Sequence, residues 1–209
     1  MNHKYKTIIF DFDGTLASSV DEFISITKSL FKKHKLKELT DLDIAKVRNS
    51  TPSDAIKIIG VPLWKLLLVL QEGRSKFRDD IDKLKPVAGI ENALDKLKKK
   101  YHLGILTSNK KNIVEEFTKK NSLDQFDWIV SENNIFGKHN RLKKIIKKNN
   151  LKIEECIYIG DEVRDIQSCK KISIDCIAVT WGLNYAEILK STKPTYIANT
   201  VEELLKIFE

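Results

Sequence analysis

Short continuous apolar runs recur along this chain, separated by stretches in which apolar residues return every three or four positions. The first run, residues 5–10, reads as a buried strand, because Thr7-Ile8-Ile9-Phe10 has no polar alternation. From Ser18 to about Lys35 the period changes. Val20, Phe23, Ile24, Ile26, Leu30 and Phe31 make the apolar stripe of a helix. Thr51-Pro52-Ser53-Asp54 reads as a helix start, with an N-cap hydroxyl, proline at the first helical position and an acid in the first turn. Gly60 and Pro62 end that helix before another begins. In this later helix Leu63, Leu66, Leu67 and Leu70 share one face, read as core. Trp64, Leu68 and Val69 occupy other faces, so more than one side has to be buried, by core, by a dimer contact or as a wall over a ligand.

No strand pattern occurs between Thr15 and Pro86, so a helical block follows the first strand. After Pro86 helical stretches at 89–101, 110–121, 140–149, 164–171 and 201–208 alternate with apolar runs at 103–106, 128–130, 156–159 and 176–179. This alternation predicts parallel βαβ units: an α/β fold with a doubly wound parallel sheet and an inserted all-helical segment. The division is 1–17 with 86–209 for the sheet and 18–85 for the insertion. Ligands of such sheets bind beyond the carboxyl ends of the strands.

The residues just past the strands are therefore the ones to read. Asp11 and Asp13 follow the first strand. Thr107, Ser108 and Asn109 follow Gly104-Ile105-Leu106, and Gly160, Asp161, Glu162 and then Asp165 follow Cys156-Ile157-Tyr158-Ile159. Adjacent carboxylates repel when ionised, so they call for a cation or for one of them to hold a proton. Oxygen-only ligands select Mg²⁺. Lys138, after Gly137 in a loop, is the second cation.

Composition narrows the partners. With 209 residues and 42% apolar content the chain can bury a real core. The net charge of +8 is spread over lysine-rich helix faces such as Lys96, Lys98, Lys99 and Lys100, and Lys143, Lys144, Lys147 and Lys148. These runs lack interleaved aromatics and no nucleic-acid motif accompanies them, so nucleic acid is not an expected partner. Positive potential that draws in a small anionic substrate is the milder consequence. Cys156, Cys169 and Cys176 form no CxxC pair and read as buried, reduced thiols. No apolar stretch is long enough to span a membrane, and the first strand starts too early to leave room for a signal peptide. A cytoplasmic monomer or homodimer is expected.

Taken together, Asp11-Phe12-Asp13-Gly14-Thr15-Leu16, then Leu106-Thr107-Ser108-Asn109, then Lys138, then Gly160-Asp161 with Asp165, resemble the four motifs of the haloacid dehalogenase superfamily, in order. Val179-Thr180-Trp181-Gly182 is similar to its phosphoglycolate-phosphatase-like branch, and the helical insertion to the family's C1-type cap. The resemblance implies a Mg²⁺-dependent phosphatase that hydrolyses a small phosphate monoester through an aspartyl-phosphate. Asp11 would be the nucleophile and Asp13 the acid and base. Thr107 would bind a phosphoryl oxygen with Ser108 beside it, and Lys138 would neutralise charge. Mg²⁺ would take Asp11, the Asp13 backbone carbonyl and Asp161, with Asp165 or Glu162 orienting ligands. Branches that cleave carbon–halogen bonds typically lack the second aspartate, so Asp13 favours phosphoryl transfer. His139 follows Lys138 where many members carry proline; neither it nor His3, His34 or His102 is assigned to catalysis. A phosphomutase of the beta-phosphoglucomutase type, or a phospholigand-binding protein that has lost activity, are the other readings. Substrate choice is expected from the cap, where Arg48-Asn49-Ser50 is either an anion reader in a loop or merely solvated.

Overall fold

The computed structural model of the chain describes residues 4–79, 84–131 and 137–209, so residues 80–83 of the expected insertion lie outside the described residues. The first strand, β1 (Thr7–Phe10), is followed by four helices: α1 (Val20–Lys33), α2 (Asp41–Arg48), α3 (Pro52–Ile59) and α4 (Leu63–Asp79). Then come α5 (Ile90–Lys98), β2 (His102–Thr107), α6 (Lys111–Lys120), β3 (Trp128–Ser131), α7 (Lys138–Lys148) and β4 (Cys156–Gly160). The chain closes with α8 (Val163–Lys170), β5 (Asp175–Val179), α9 (Ala186–Ser191), β6 (Tyr196–Ala198) and α10 (Val201–Lys206).

The six strands form one sheet in the order β3-β2-β1-β4-β5-β6, and every pairing is parallel. Parallel strands need both faces covered, and the strands read as continuous apolar runs for that reason. Successive side chains of each strand enter opposite layers. Ile8, Phe10, Ile157 and Ile159 pack with the buried residues of α5, α6 and α10 on one face. Ile9, Cys156 and Tyr158 pack with those of α7, α8 and α9 on the other. All three cysteines are buried and free, as their apolar surroundings predict. No helix among the described residues is long and apolar enough to cross a membrane.

Two consequences position the site. β1 lies between β2 and β4, so the connections turn one way from β1 toward β2 and β3 and the other way toward β4. This reversal opens a crevice beyond the carboxyl ends of β1 and β4. Phe10 is also in register with both Ile105 and Ile159, so the residues that follow these three strands emerge at one edge.

Helices α1 to α4 lie between β1 and α5, but the buried face of α4 differs from the predicted one. Leu66, Val69 and Phe77 are buried with Ile26, Leu30 and Phe31 of α1, whereas Leu63 is 56% and Leu67 49% exposed, as are Trp64 and Leu68 to similar degrees. Gly73 lies on the buried face as well: a Cβ there would lie 3.5 Å from Leu30 Cδ1, so a residue with no hydrophobicity to reveal it takes part in the α1–α4 contact. α2 was not foreseen. A capping box at Thr40 and Asp43 defines its start, and it buries no side chain completely. α9 and β6 likewise escape the pattern, being six and three residues long.

The burial difference gives a direct test. Leu66→Ala should cost about 2–5 kcal/mol in chemical denaturation, the range for a buried leucine. Leu67→Ala should stay within about 0.5 kcal/mol of the unaltered chain. Equal losses at both positions would contradict the assigned face.

Candidate active site

Asp11 follows the last residue of β1 and is buried. One oxygen accepts from the Phe12 backbone N–H at 2.8 Å and the other from Lys138 Nζ at 2.9 Å. Lys138 also donates to Asp165 Oδ1 at 2.5 Å, and its ammonium lies 5.4 Å from the Tyr158 ring centroid. Lys138 is not in a loop, as expected from sequence, but is the first residue of α7. Its polar first turn, Lys138-His139-Asn140-Arg141, carries no apolar period that would mark the helix start. Lys143 and Lys144 are exposed, which leaves Lys138 as the lysine of this region that reaches the carboxylates.

Asp161 follows β4 and is likewise buried. Its Oδ1 accepts from Thr15 Oγ1 at 3.0 Å, and its Oδ2 from the Leu183 backbone N–H at 2.7 Å. Two glycines make room for this carboxylate. Gly14 has φ +69°, and a Cβ there would sit 2.2 Å from Asp161 Oδ2; a Cβ at Gly182 would meet the same oxygen at 2.2 Å. Trp181-Gly182 is accordingly a packed turn, with the Trp181 indole donating to Thr15 O. Asp165 is fully buried. Besides Lys138, it accepts from the Glu162 backbone N–H at 3.1 Å, so it braces the start of α8.

Carboxylate oxygens of Asp11, Asp161 and Asp165 lie within 4.8 Å of one another, with Lys138 beside two of them. The donor set is all oxygen, which fits a hard divalent cation such as Mg²⁺. The carboxylate of Asp13 points elsewhere. Asn109 Nδ2 donates to its Oδ2 at 2.8 Å, while its Oδ1 is buried without a partner among the described residues. Thr107 ends β2, fully buried, with its hydroxyl accepting from the Asn109 N–H at 2.9 Å, which leaves the Thr107 proton to donate. Ser108 lines the cavity above.

Electrostatics separates the two aspartates. Burial pushes Asp11 up to about 6, against the lowering effect of Lys138. Burial, and then the neighbouring charge of Asp11, push Asp13 higher, to about 7. Burial raises Asp161 well above the ordinary carboxylate range, with Glu162 and Asp11 adding to it. For Lys138 burial alone would act downward, but Asp11 and Asp165 outweigh it and hold the ammonium charged.

A cavity of about 240 Å³ opens on this edge. Its floor includes Asp13, Ser108, Asn109, Asp161 and Arg164, and Val20, Phe23, Leu70 and Phe77 of α1 and α4 form an apolar roof. Asn109 and Arg164 received no role from the sequence. Asn109 was visible as the second residue after Thr107, and Arg164 as a variable position inside Gly-Asp-x-x-x-Asp. Arg48 is neither an anion reader in a loop nor solvated. It ends α2, and its guanidinium donates to Leu183 O at 2.8 Å and Gly182 O at 3.0 Å and stacks on Tyr185. His34 and His102 pair with Glu72 and Asp127 away from this edge, and His3 lies outside the described residues.

Comparison with known proteins agrees with the geometry. A family model described as haloacid dehalogenase-like hydrolase matches residues 8–179. A phosphoglycolate phosphatase from Synechococcus elongatus is 26% identical over 96% of each chain. The pyrophosphatase PpaX from Bacillus mycoides is 24% identical over 98% of this chain and 97% of its own. The fold superimposes with a TM-score of 0.83 on a haloacid dehalogenase-like family hydrolase from Streptococcus pneumoniae, at 22% identity, covering 98% of this chain and 99% of that one.

The raised carboxylates have a consequence for stability. In the folded chain Asp11 and Asp13 keep their protons to higher pH than in the unfolded chain, where 3.8 is usual. Their contribution to stability is therefore complete below about pH 4 and is lost as pH rises through their folded values. A divalent cation bound among the ionised oxygens reverses this loss. The shift in melting temperature caused by millimolar Mg²⁺ should be several degrees larger at about pH 8 than at about pH 5.5. A shift that is equal at both, or larger in acid, would contradict the arrangement.

Proposed function

This chain belongs to the haloacid dehalogenase-like hydrolase family, and on that premise we propose that it is a Mg²⁺-dependent phosphatase that hydrolyses a small phosphate monoester through an aspartyl-phosphate. The observation that carries this reading is the split between Asp11, which faces Lys138, and Asp13, which faces Asn109 with a lone buried oxygen. Two carboxylates of one motif in unlike environments are how a nucleophile and an acid are told apart.

In the first step an Asp11 carboxylate oxygen attacks phosphorus. The bond from phosphorus to the ester oxygen breaks, and Asp13, protonated near neutral pH, gives its proton to the leaving oxygen. In the second step the Asp13 carboxylate takes a proton from water as that water attacks phosphorus. The bond from phosphorus to Asp11 breaks and free phosphate leaves. Lys138 and the Thr107 hydroxyl are placed to balance charge on the phosphoryl oxygens, and Ser108 lies beside them. Asp11, the Asp13 backbone carbonyl and Asp161 would hold Mg²⁺, with Asp165 fixing Lys138 and α8. When bound, the ion supplies charge neutralisation at the phosphoryl group. The helices of residues 18–85 act as the cap, and the small roofed cavity favours a small substrate.

The two relatives are named for phosphoglycolate and for pyrophosphate. Both compounds pair a phosphoryl group with a second anionic group close by. Phosphoglycolate, or another small ester of this kind, is the substrate class we propose.

Asp11→Asn should lower turnover of p-nitrophenyl phosphate with Mg²⁺ by more than about a thousandfold, because no other side chain replaces a nucleophile. Retained turnover in that variant would end the proposal.

A further inference from the structure

We propose that Arg164, on the sheet side of the cavity, is the specificity-determining residue that binds the second anionic group of the substrate. This rests on the phosphatase reading above and goes beyond it, because α8 then contributes to substrate choice in this chain. Arg164 is the second residue of α8, which starts just after Asp161, and its side chain borders the cavity that also exposes Asp13, Ser108 and Asn109. Among the described lining residues it is the only basic one. Lys138 lies beneath, engaged with Asp11 and Asp165.

The opposite wall makes the case from the other direction. Val20, Phe23, Leu70 and Phe77 give α1 and α4 an apolar surface there, with Ser19 as the polar exception. Arg48, the cap cation with the best sequence claim, spends its guanidinium on the carbonyls of Gly182 and Leu183. A carboxylate or second phosphate attached near the ester carbon would find no described counter-charge on the roof. A desolvated anion in a cavity this small needs one. Arg164 offers it with donors to spare. One terminal nitrogen pairs with Glu162, and Nε is buried with no acceptor among the described residues. A guanidinium presents five N–H groups in a planar fork, so the Glu162 contact leaves others for a second acid. Glu162 fixes the plane of the fork, and a charged ligand group gains charge-assisted bonds from the donors left over, whereas a neutral substituent gains little from them.

A structural role makes a different prediction. If Arg164 only balanced Glu162 and the acidic cluster, its loss would slow every substrate alike. The experiment compares kcat/KM for 2-phosphoglycolate, inorganic pyrophosphate and ethyl phosphate, the last with no second anion, in the unaltered chain, Arg164→Gln and Arg164→Lys. The ratio of an anionic substrate to ethyl phosphate should fall about 10- to 100-fold in Arg164→Gln, mainly through KM, and recover in part in Arg164→Lys. A fall in the phosphoglycolate arm identifies a carboxylate, and a fall in the pyrophosphate arm a second phosphate; either supports the assignment. Ratios unchanged in both arms, with all three substrates slowed together, would overturn it while leaving the phosphatase reading intact. An unaltered chain that cleaves none of the three would overturn that reading, and this inference with it.

Discussion

The ion pair between Lys138 and Asp11 is the contact around which this molecule is arranged. Asp11, Asp161 and Asp165 bring carboxylate oxygens within 4.8 Å of one another in a buried position, and Lys138 reaches two of them. At that separation two ionised carboxylates repel by roughly 3–4 kcal/mol, taking an effective dielectric of about 20. One ammonium does not offset three such pairs. The site therefore suits an additional cation, or protons when the cation is missing, and burial, with the neighbouring acids adding to it, displaces Asp11 and Asp161 upward. Much of the surrounding fold serves to hold these groups despite their repulsion. The β1–β4 pairing sets two of the acids side by side, the start of α7 delivers the lysine, and glycines at 14 and 182 leave room where any Cβ would collide with Asp161.

In the proposed reaction the same constraint divides the labour between Asp11 and Asp13. Lys138 and the Phe12 N–H hold Asp11 in the ionised form a nucleophile needs. Asp13 sits two residues further along the chain, takes a neutral donor from Asn109, and keeps one oxygen buried without a partner among the described residues. A group so placed holds a proton until something takes it. The order of the two values follows from burial at both positions, from Lys138 acting downward on Asp11, and from the charge of Asp11 acting upward on Asp13.

Much of this was legible in the sequence because it depends on local period and on strand ends. Continuous apolar runs marked the buried strands, and carboxylates immediately past them marked the edge where ligands bind. What escaped depends on tertiary contact or on short, mixed segments. β6 is three residues long, at the sheet edge after Pro194, and has no room for a pattern. Two faces of α4 were nearly equal in apolar content, and the one packed on α1 includes Gly73, which no hydrophobic count favours. Arg48 looked like a free cation in a cap loop because nothing local reveals that the carbonyls of residues 182 and 183, far along the chain, accept its donors. Arg164 was hidden in the same way, as a variable position within a motif whose aspartates drew the attention.

The proposed reaction depends above all on Asp11 carrying the phosphoryl group. The most direct measurement is to quench the Mg²⁺-loaded chain during turnover of a phosphate ester, reduce with borohydride, and map the product by peptide mass spectrometry. An acyl phosphate at Asp11 would be reduced to homoserine at position 11, and that is the predicted result. Reduction at another carboxylate, or none in a chain that is turning over substrate, would contradict it.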